Sequence, residues 1–179
     1  MNNVMLDLET WGTRPGCAIR SVGAVMFDPI SGGIGNEFYA NVSDESCVMA
    51  GLFVQDDTAA WWDRQSQAAQ DALLVDPKGI YVVVQMFHQW FRKNKGVFIW
   101  SQGANFDEVI WSAIAHKLGQ RPPWKFYDVR DTRTAYEIAG FDARTVKRAG
   151  TYHNALDDAR HQAYCVTQAF RKCGWDAGV

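Results

Sequence analysis

The chain opens with apolar stretches joined by short polar links. VMLDL at 4–8 is a brief apolar run that reads as a buried strand. IRSVGAVMF at 19–27 predicts a second strand, and GNEFYANV at 35–42 a third. DPISGG, a cluster of turn formers, lies between the last two. Three strands with links this short predict an antiparallel meander.

The pattern then becomes helical. DDTAAWWDRQSQAAQDALL at 56–74 predicts a helix capped by Asp57 or Thr58, with Trp61 and Trp62 in its first turns. Pro77 introduces another, in which Ile80, Val83, Val84, Phe87 and Phe91 share a face before Lys93, Lys95 and Gly96 close it. GVFIWS at 96–101 predicts a fourth strand and NFDEVIWSAIAHKLG at 105–119 an amphipathic helix ended by Gly119. KFYDV at 125–129 predicts a short fifth strand, DTRTAYEIAG at 131–140 a helix ended by Gly140, and 154–172 a last helix. The order describes an α/β domain whose mixed five-stranded sheet is flanked by helices. No repeat or long linker divides the chain, so 1–179 is predicted to be one domain.

Composition narrows the function. A net charge of −2 argues against coating long nucleic acids through a broad basic field, yet leaves room for gripping a short stretch of strand at a metal-loaded site. Cys17, Cys47, Cys165 and Cys173 are scattered without C-x-x-C spacing, which predicts free thiols. With no basic leader and no apolar run near the roughly 20 residues a membrane helix needs, a soluble cytoplasmic protein without a membrane partner is expected.

Against this background the first strand is odd, because it carries Asp7 and Glu9 with no Lys or Arg before Arg14. Residues two apart on a strand share a face, so both carboxylates project together while Leu6 and Leu8 face the other way. Buried carboxylates need a proton, a cationic partner or a metal, and their oxygens suit Mg²⁺ or Mn²⁺. The plainer reading is a strand end where both acids reach water. Asp107 lies on the edge of the Phe106, Ile110 and Ile114 face while Glu108 points away, although placement near a helix N-terminus alone would explain Asp107. In the last helix Ala155, Ala159, Ala163, Val166 and Phe170 form the packing stripe, with Asp158 beside it and Asp157 nearly opposite. His153 sits on the loop before that helix. Four such carboxylates suit two divalent ions about 4 Å apart, one activating water and one stabilising the leaving oxygen. A histidine of ordinary pKa near 6.5 then takes the proton from the water. The predicted reaction is phosphodiester hydrolysis.

These residues resemble the motifs of the DEDD superfamily of 3′–5′ exonucleases, subclass DEDDh, which share the DnaQ-like, RNase H-like fold. DLET resembles its D-x-E motif, NFD its helix-start aspartate, and HNALDD its H-x-x-x-x-D motif. MLDLETWG, AAWWDRQ and RDTRTAYE are further similar to a small bacterial and phage group related to exodeoxyribonuclease VIII-like exoribonucleases. The resemblance implies that Asp7, Glu9, Asp107 and Asp158 hold two Mg²⁺ or Mn²⁺ ions and that His153 is the general base. It implies trimming from the 3′ end of a nucleic acid, RNA before DNA, with release of nucleoside 5′-monophosphates. The resemblance leaves room for a homodimer, although no self-complementary surface is readable in the sequence, and a non-catalytic binding protein of the same fold is the alternative from another class.

Residues around this centre are candidates for substrate contact. Thr10 and Trp11 follow the first motif and are expected at the mouth of the site, with Trp11 stacking on the terminal base at about 1–3 kcal/mol. Phe106 fits a wedge between the last two bases, core packing on the helix stripe being the plainer explanation. Of the adjacent tryptophans, Trp62 is placed at the nucleotide pocket. Arg148, with Arg144 and Lys147, is expected beside the substrate phosphates, a solvated basic face being the plainer explanation.

Overall fold

The computed structural model describes residues 1–103 and 105–175. The meander consists of β1 (Asn3–Thr10), β2 (Ile19–Phe27) and β3 (Ile34–Asn41). Three helices follow, α1 (Asp44–Met49), α2 (Asp56–Trp62) and α3 (Gln67–Ala72). Next come α4 (Ile80–Lys93), β4 (Phe98–Ser101), α5 (Asp107–Lys117), β5 (Val129–Asp131), α6 (Thr132–Ala139) and α7 (Ala155–Lys172). The sheet runs β3-β2-β1-β4-β5, with β1 antiparallel to β2 and parallel to β4. It is the mixed five-stranded sheet expected from the sequence.

Three elements depart from the sequence reading. The segment 56–74 makes two helices, because Ser66 caps a new start by accepting from the Ala69 amide at 3.3 Å. The polar stretch before it contains α1, capped in the same way by Ser43 accepting from the Ser46 amide. The fifth strand begins at Val129, not 125, and Phe126–Asp128 forms a 3₁₀ turn. Phe126 and Tyr127 are exposed, whereas Val129 is the residue that pairs with Ile99 of β4 and packs on the core.

Alternation along β1 divides two cores. Val4, Leu6 and Leu8 enter the cluster built with Val83, Phe87, Ile110 and Trp111 of α4 and α5. Met5 joins the opposite cluster with Ala159 and Ala163 of α7. Asp7 and Glu9 have the parity of Met5, so they face α7. Strand β2, covered on both sides, is buried along its whole length.

Helix α7 comes unusually close to the sheet. A Cβ placed on Gly23 would lie 2.2 Å from the Ala155 carbonyl carbon and the Leu156 amide nitrogen. Gly23 is the strand partner of Asp7, so the helix start docks beside that carboxylate. Ala155, Ala159 and Ala163 are fully buried along the approach, and Asn154 caps the helix by accepting from the Leu156 and Asp157 amides. A methyl group at Gly23 meets backbone rather than a flexible side chain, so Gly23→Ala must push the helix start away. We expect a destabilisation of about 1–3 kcal/mol, read in calorimetry as about 2–4 °C of Tm per kcal/mol. An unchanged Tm would show that the helix start gives way freely.

Candidate active site

The parallel pair β1–β4 stays together only from Asn3↔Phe98 to Met5↔Trp100. Beyond Met5 the two carboxyl ends diverge, and such a crevice is where open α/β sheets take ligands. The start of α5 fills part of it. Asp107, buried, accepts from the Leu8 amide at 3.1 Å, which fixes its carboxylate beside the end of β1. Asp7 accepts from Gln162 Nε2 of α7 at 2.6 Å. Glu9 and Asp158 are buried, and one ligand atom from each of Glu9, His153 and Asp158 lies within 4.8 Å of the others.

His153 occupies the left-handed region at φ +60°. This backbone turn immediately precedes the α7 cap and brings the imidazole edge-on to Trp61, with ring centres 4.8 Å apart. Burial, together with the Arg148 charge, lowers the His153 pKa, so the ring is neutral near pH 7 and has a lone pair to accept a proton.

The acids are held against their mutual repulsion. Burial raises the pKa of Asp7, and it raises that of Glu9 with the added repulsion of Asp7 and Asp107. Asp107 is raised in the same direction by burial and by Asp7. Compensation comes from Arg148, whose guanidinium pairs with Asp158 Oδ1 and lowers the pKa of Asp7 and Glu9. A set of hard oxygen donors and one imidazole that needs positive charge fits divalent ions. Asp158 Oδ1 has no other hydrogen-bond donor among the described residues, and it is free to accept a cation in place of Arg148.

A cavity of about 410 Å³ opens beside Glu9, bordered by Trp61, Trp62, Phe106, Asp57 and Thr58. Thr10 also borders it, but its hydroxyl donates to the Gly12 carbonyl at 2.7 Å and shapes the turn after β1. Trp62 is the buried member of its pair, and its Nε1–H donates to the Thr10 carbonyl at 2.9 Å. Trp61, half-buried, carries the contact to His153. Trp11 is not among the residues bordering the cavity: its indole N–H donates to Asp44, and the Arg20 guanidinium lies 4.0 Å from its ring centre. Phe106 both borders the cavity and packs on the core.

Two neighbours of the chosen acids have other work. Glu108 is not solvated; it accepts from Trp124 Nε1 and Ser112 Oγ. Asp157 pairs with Arg160 at 2.8 Å and accepts from the Thr151 amide. Sequence reasoning missed Gln162, although its place one turn after Asp158 on the buried side was readable. It also placed Arg148 at substrate phosphates, without signalling the ion pair with Asp158.

Comparison with known proteins identifies the fold and the family. The nuclease domain of 3′hExo, described as a DEDDh family member and bound to rAMP, superposes with a TM-score of 0.60 at 14% identity, covering 97% of this chain and 93% of that one. Exonuclease X, in complex with 5′ overhanging duplex DNA, gives 0.55 at 17% identity over 98% and 95% of the two chains. Exonuclease I gives 0.65 at 14% identity, where the match covers 93% of this chain and 40% of that one. At these identities the likeness establishes the fold, which is that of DEDDh, RNase H-like exonuclease domains. No curated protein matches the sequence. A family profile does, from residue 2 to residue 170, and by that match the chain belongs to the 3′-5′ exoribonuclease Rv2179c-like domain family.

Proposed function

We propose that this chain is a metal-dependent 3′–5′ exonuclease that removes nucleotides from the 3′ end of RNA and releases nucleoside 5′-monophosphates. The observation that carries the reading is the convergence of Asp7, Glu9, Asp107, Asp158 and a neutral His153 on one crevice. Asp7, Glu9, Asp107 and Asp158 would hold two Mg²⁺ or Mn²⁺ ions. Bound there, the ions lower the pKa of water and stabilise charge on the leaving oxygen. The protein's own groups do the rest. The cavity beside Glu9 receives the terminal nucleoside, with Trp61 and Phe106 offering ring faces for stacking. His153 Nδ1 or Nε2 accepts the proton of the attacking water, and Trp61 holds its ring in place. RNA is favoured over DNA by the family's description as an exoribonuclease and by the rAMP bound to 3′hExo.

The test uses 5′-labelled RNA and DNA strands of one sequence, incubated with Mn²⁺, Mg²⁺ or EDTA. A ladder shortening from the 3′ end is expected for RNA with metal and not with EDTA. Asp7→Ala should abolish it, and His153→Ala should lower kcat by about 10²–10⁴-fold. Faster DNA degradation would redirect the reading to a deoxyribonuclease. Intact strands in every metal lane, with binding retained, would leave a non-catalytic binding protein.

Stability against pH provides a separate check on the metal site. The pKa of Asp7 is pushed up to about 7 and that of Glu9 to about 9, against 3.8 and 4.5 ordinarily. Between the ordinary and raised values the folded chain holds protons that the unfolded chain has released. Stability from these groups is therefore full below about pH 4 and is lost as pH rises through the folded pKa values. Metal ions need the deprotonated acids and bind the folded state, so the Tm increment from Mn²⁺ should grow from pH 5 to pH 9. Asp7→Asn should reduce both the metal-free decline and the Mn²⁺ increment. An increment in the wild-type protein that does not vary with pH would mean that the ion binds elsewhere.

A further inference from the structure

Beyond the acids, on the side away from the tryptophans, the surface forms two adjoining cavities. The nearer, about 340 Å³, is bordered by Gln102, Arg144, Arg148, Tyr152, His161 and Gln162. It touches the catalytic crevice directly, since Arg148 pairs with Asp158 and Gln162 donates to Asp7. The farther, about 650 Å³, includes Lys147, Asp157, Arg160 and Tyr164 in its border, and Val146 and His161 divide it from the first. Because Val146 and His161 border both, we read them as one groove between α7 and the 143–152 segment.

The lining is suited to a polyanion with flat rings. Tyr152 and Tyr164 are 62% and 51% exposed, so core packing does not account for them. The Arg148 guanidinium lies 4.6 Å from the Tyr152 ring centre. Lys147 has no ion-pair partner among the described residues. Arg144 pairs with Asp142 on the open surface, where solvent screens the contact and a phosphate can replace it. Arg160 is already neutralised by Glu37 and Asp157, so it stiffens the wall and leaves little free charge. Among the described residues, the only acid bordering the groove is Asp157, and it is thereby covered. Exposed aromatics beside the unpaired Lys147 and the solvent-screened Arg144 are a pattern that holds single strands without reading their bases.

We propose that this groove is the track for the strand upstream of the scissile phosphate. The inference rests on the exonuclease reading above. If the terminal nucleoside lies in the cavity beside Glu9, Trp61 and Phe106, the chain of the substrate must continue past the acids on the other side. Tyr152 and Arg144 then meet the nucleotides next to the scissile bond, while Lys147 and Tyr164 meet those farther upstream. The occupant is a single strand: stacking on Tyr152 and Tyr164 requires bases free of a partner.

The test compares two substrates on the full chain with Mn²⁺. The p-nitrophenyl ester of thymidine 5′-monophosphate can fill only the terminal cavity and the acids, whereas an RNA octamer also reaches the groove. Lys147→Ala/Tyr164→Ala changes two exposed side chains, and circular dichroism confirms the fold. We expect the ratio of kcat/KM for octamer over ester to fall at least tenfold in the double variant. In parallel, anisotropy of a labelled octamer in Ca²⁺ should give a plot of log Kd against log salt whose slope is smaller by about 0.7 in Lys147→Ala. An unchanged ratio with an unchanged slope would overturn the groove. Failure of the wild-type protein to hydrolyse either substrate would overturn the exonuclease reading instead, and the anisotropy slopes would still decide the groove.

Discussion

The contact of α7 with Gly23 is the constraint on which the site depends. Helix backbone meets strand backbone there with no side chain between them, and Asp7 lies on the neighbouring strand at the same register. Because the helix start is fixed at that point, Asp158, three residues into α7, and Gln162, one turn later, hang over the end of β1. A helix held at ordinary side-chain distance would leave Asp158 outside the reach of Glu9. The alanine stripe continues the same requirement along the helix, which explains why small residues occupy positions that elsewhere would take leucine.

What this contact assembles is unfavourable by itself. Carboxylates from β1, α5 and α7 are gathered in a crevice with poor solvation; burial raises the pKa values of Asp7, Glu9 and Asp107, with repulsion from neighbouring carboxylates added at Glu9 and Asp107. The structure limits the cost by giving three of the four acids a specific partner. Asp107 has the Leu8 amide, Asp7 has Gln162, and Asp158 has Arg148. For Asp107 and Asp7 the hydrogen bond also sets direction, since it uses one oxygen and leaves the other for a ligand. The left-handed backbone at His153 belongs to the same economy, because strain is tolerated where the surrounding structure over-determines it. The aromatic contact of Trp61 and the Asn154 cap hold that residue from both sides.

How much of this was legible in the sequence follows from the range of each signal. Period-two alternation put Asp7 and Glu9 on one face and gave that face correctly, since alternation is dictated by local geometry. The helical wheel separated Asp158 from Asp157 for the same reason, and the structure buries the first while the second pairs with Arg160. Signals that depend on tertiary partners were weaker. Adjacent tryptophans differ by about 100° around a helix, but only the packed structure says that Trp62 turns inward to the Thr10 carbonyl while Trp61 faces His153. Likewise KFYDV has the composition of a strand, yet pairing with β4 begins at Val129, because the core offers a place to that side chain and none to Phe126 or Tyr127. Glu108 was misread as solvated because its partner, Trp124, is remote in sequence.

Arg148 was the least legible residue, and it joins the two halves of the site. Its loop carries no regular structure that a sequence pattern could reveal, and its charge suggested a phosphate. In the structure the guanidinium sits at the junction of the acids and the outer groove, paired with Asp158 and packed on Tyr152. An acid cluster without bound cations needs positive charge, and a buried arginine keeps its charge where a lysine would tend to lose it. Under the proposed function, Asp158 would be claimed both by the chain's own cation and by a divalent ion. The two would exclude each other at that oxygen, so a stronger Arg148 pair would weaken ion binding there. Released from Asp158, the guanidinium would stay at the mouth of the groove, tethered by its loop and facing the position where a phosphate reaches the acids.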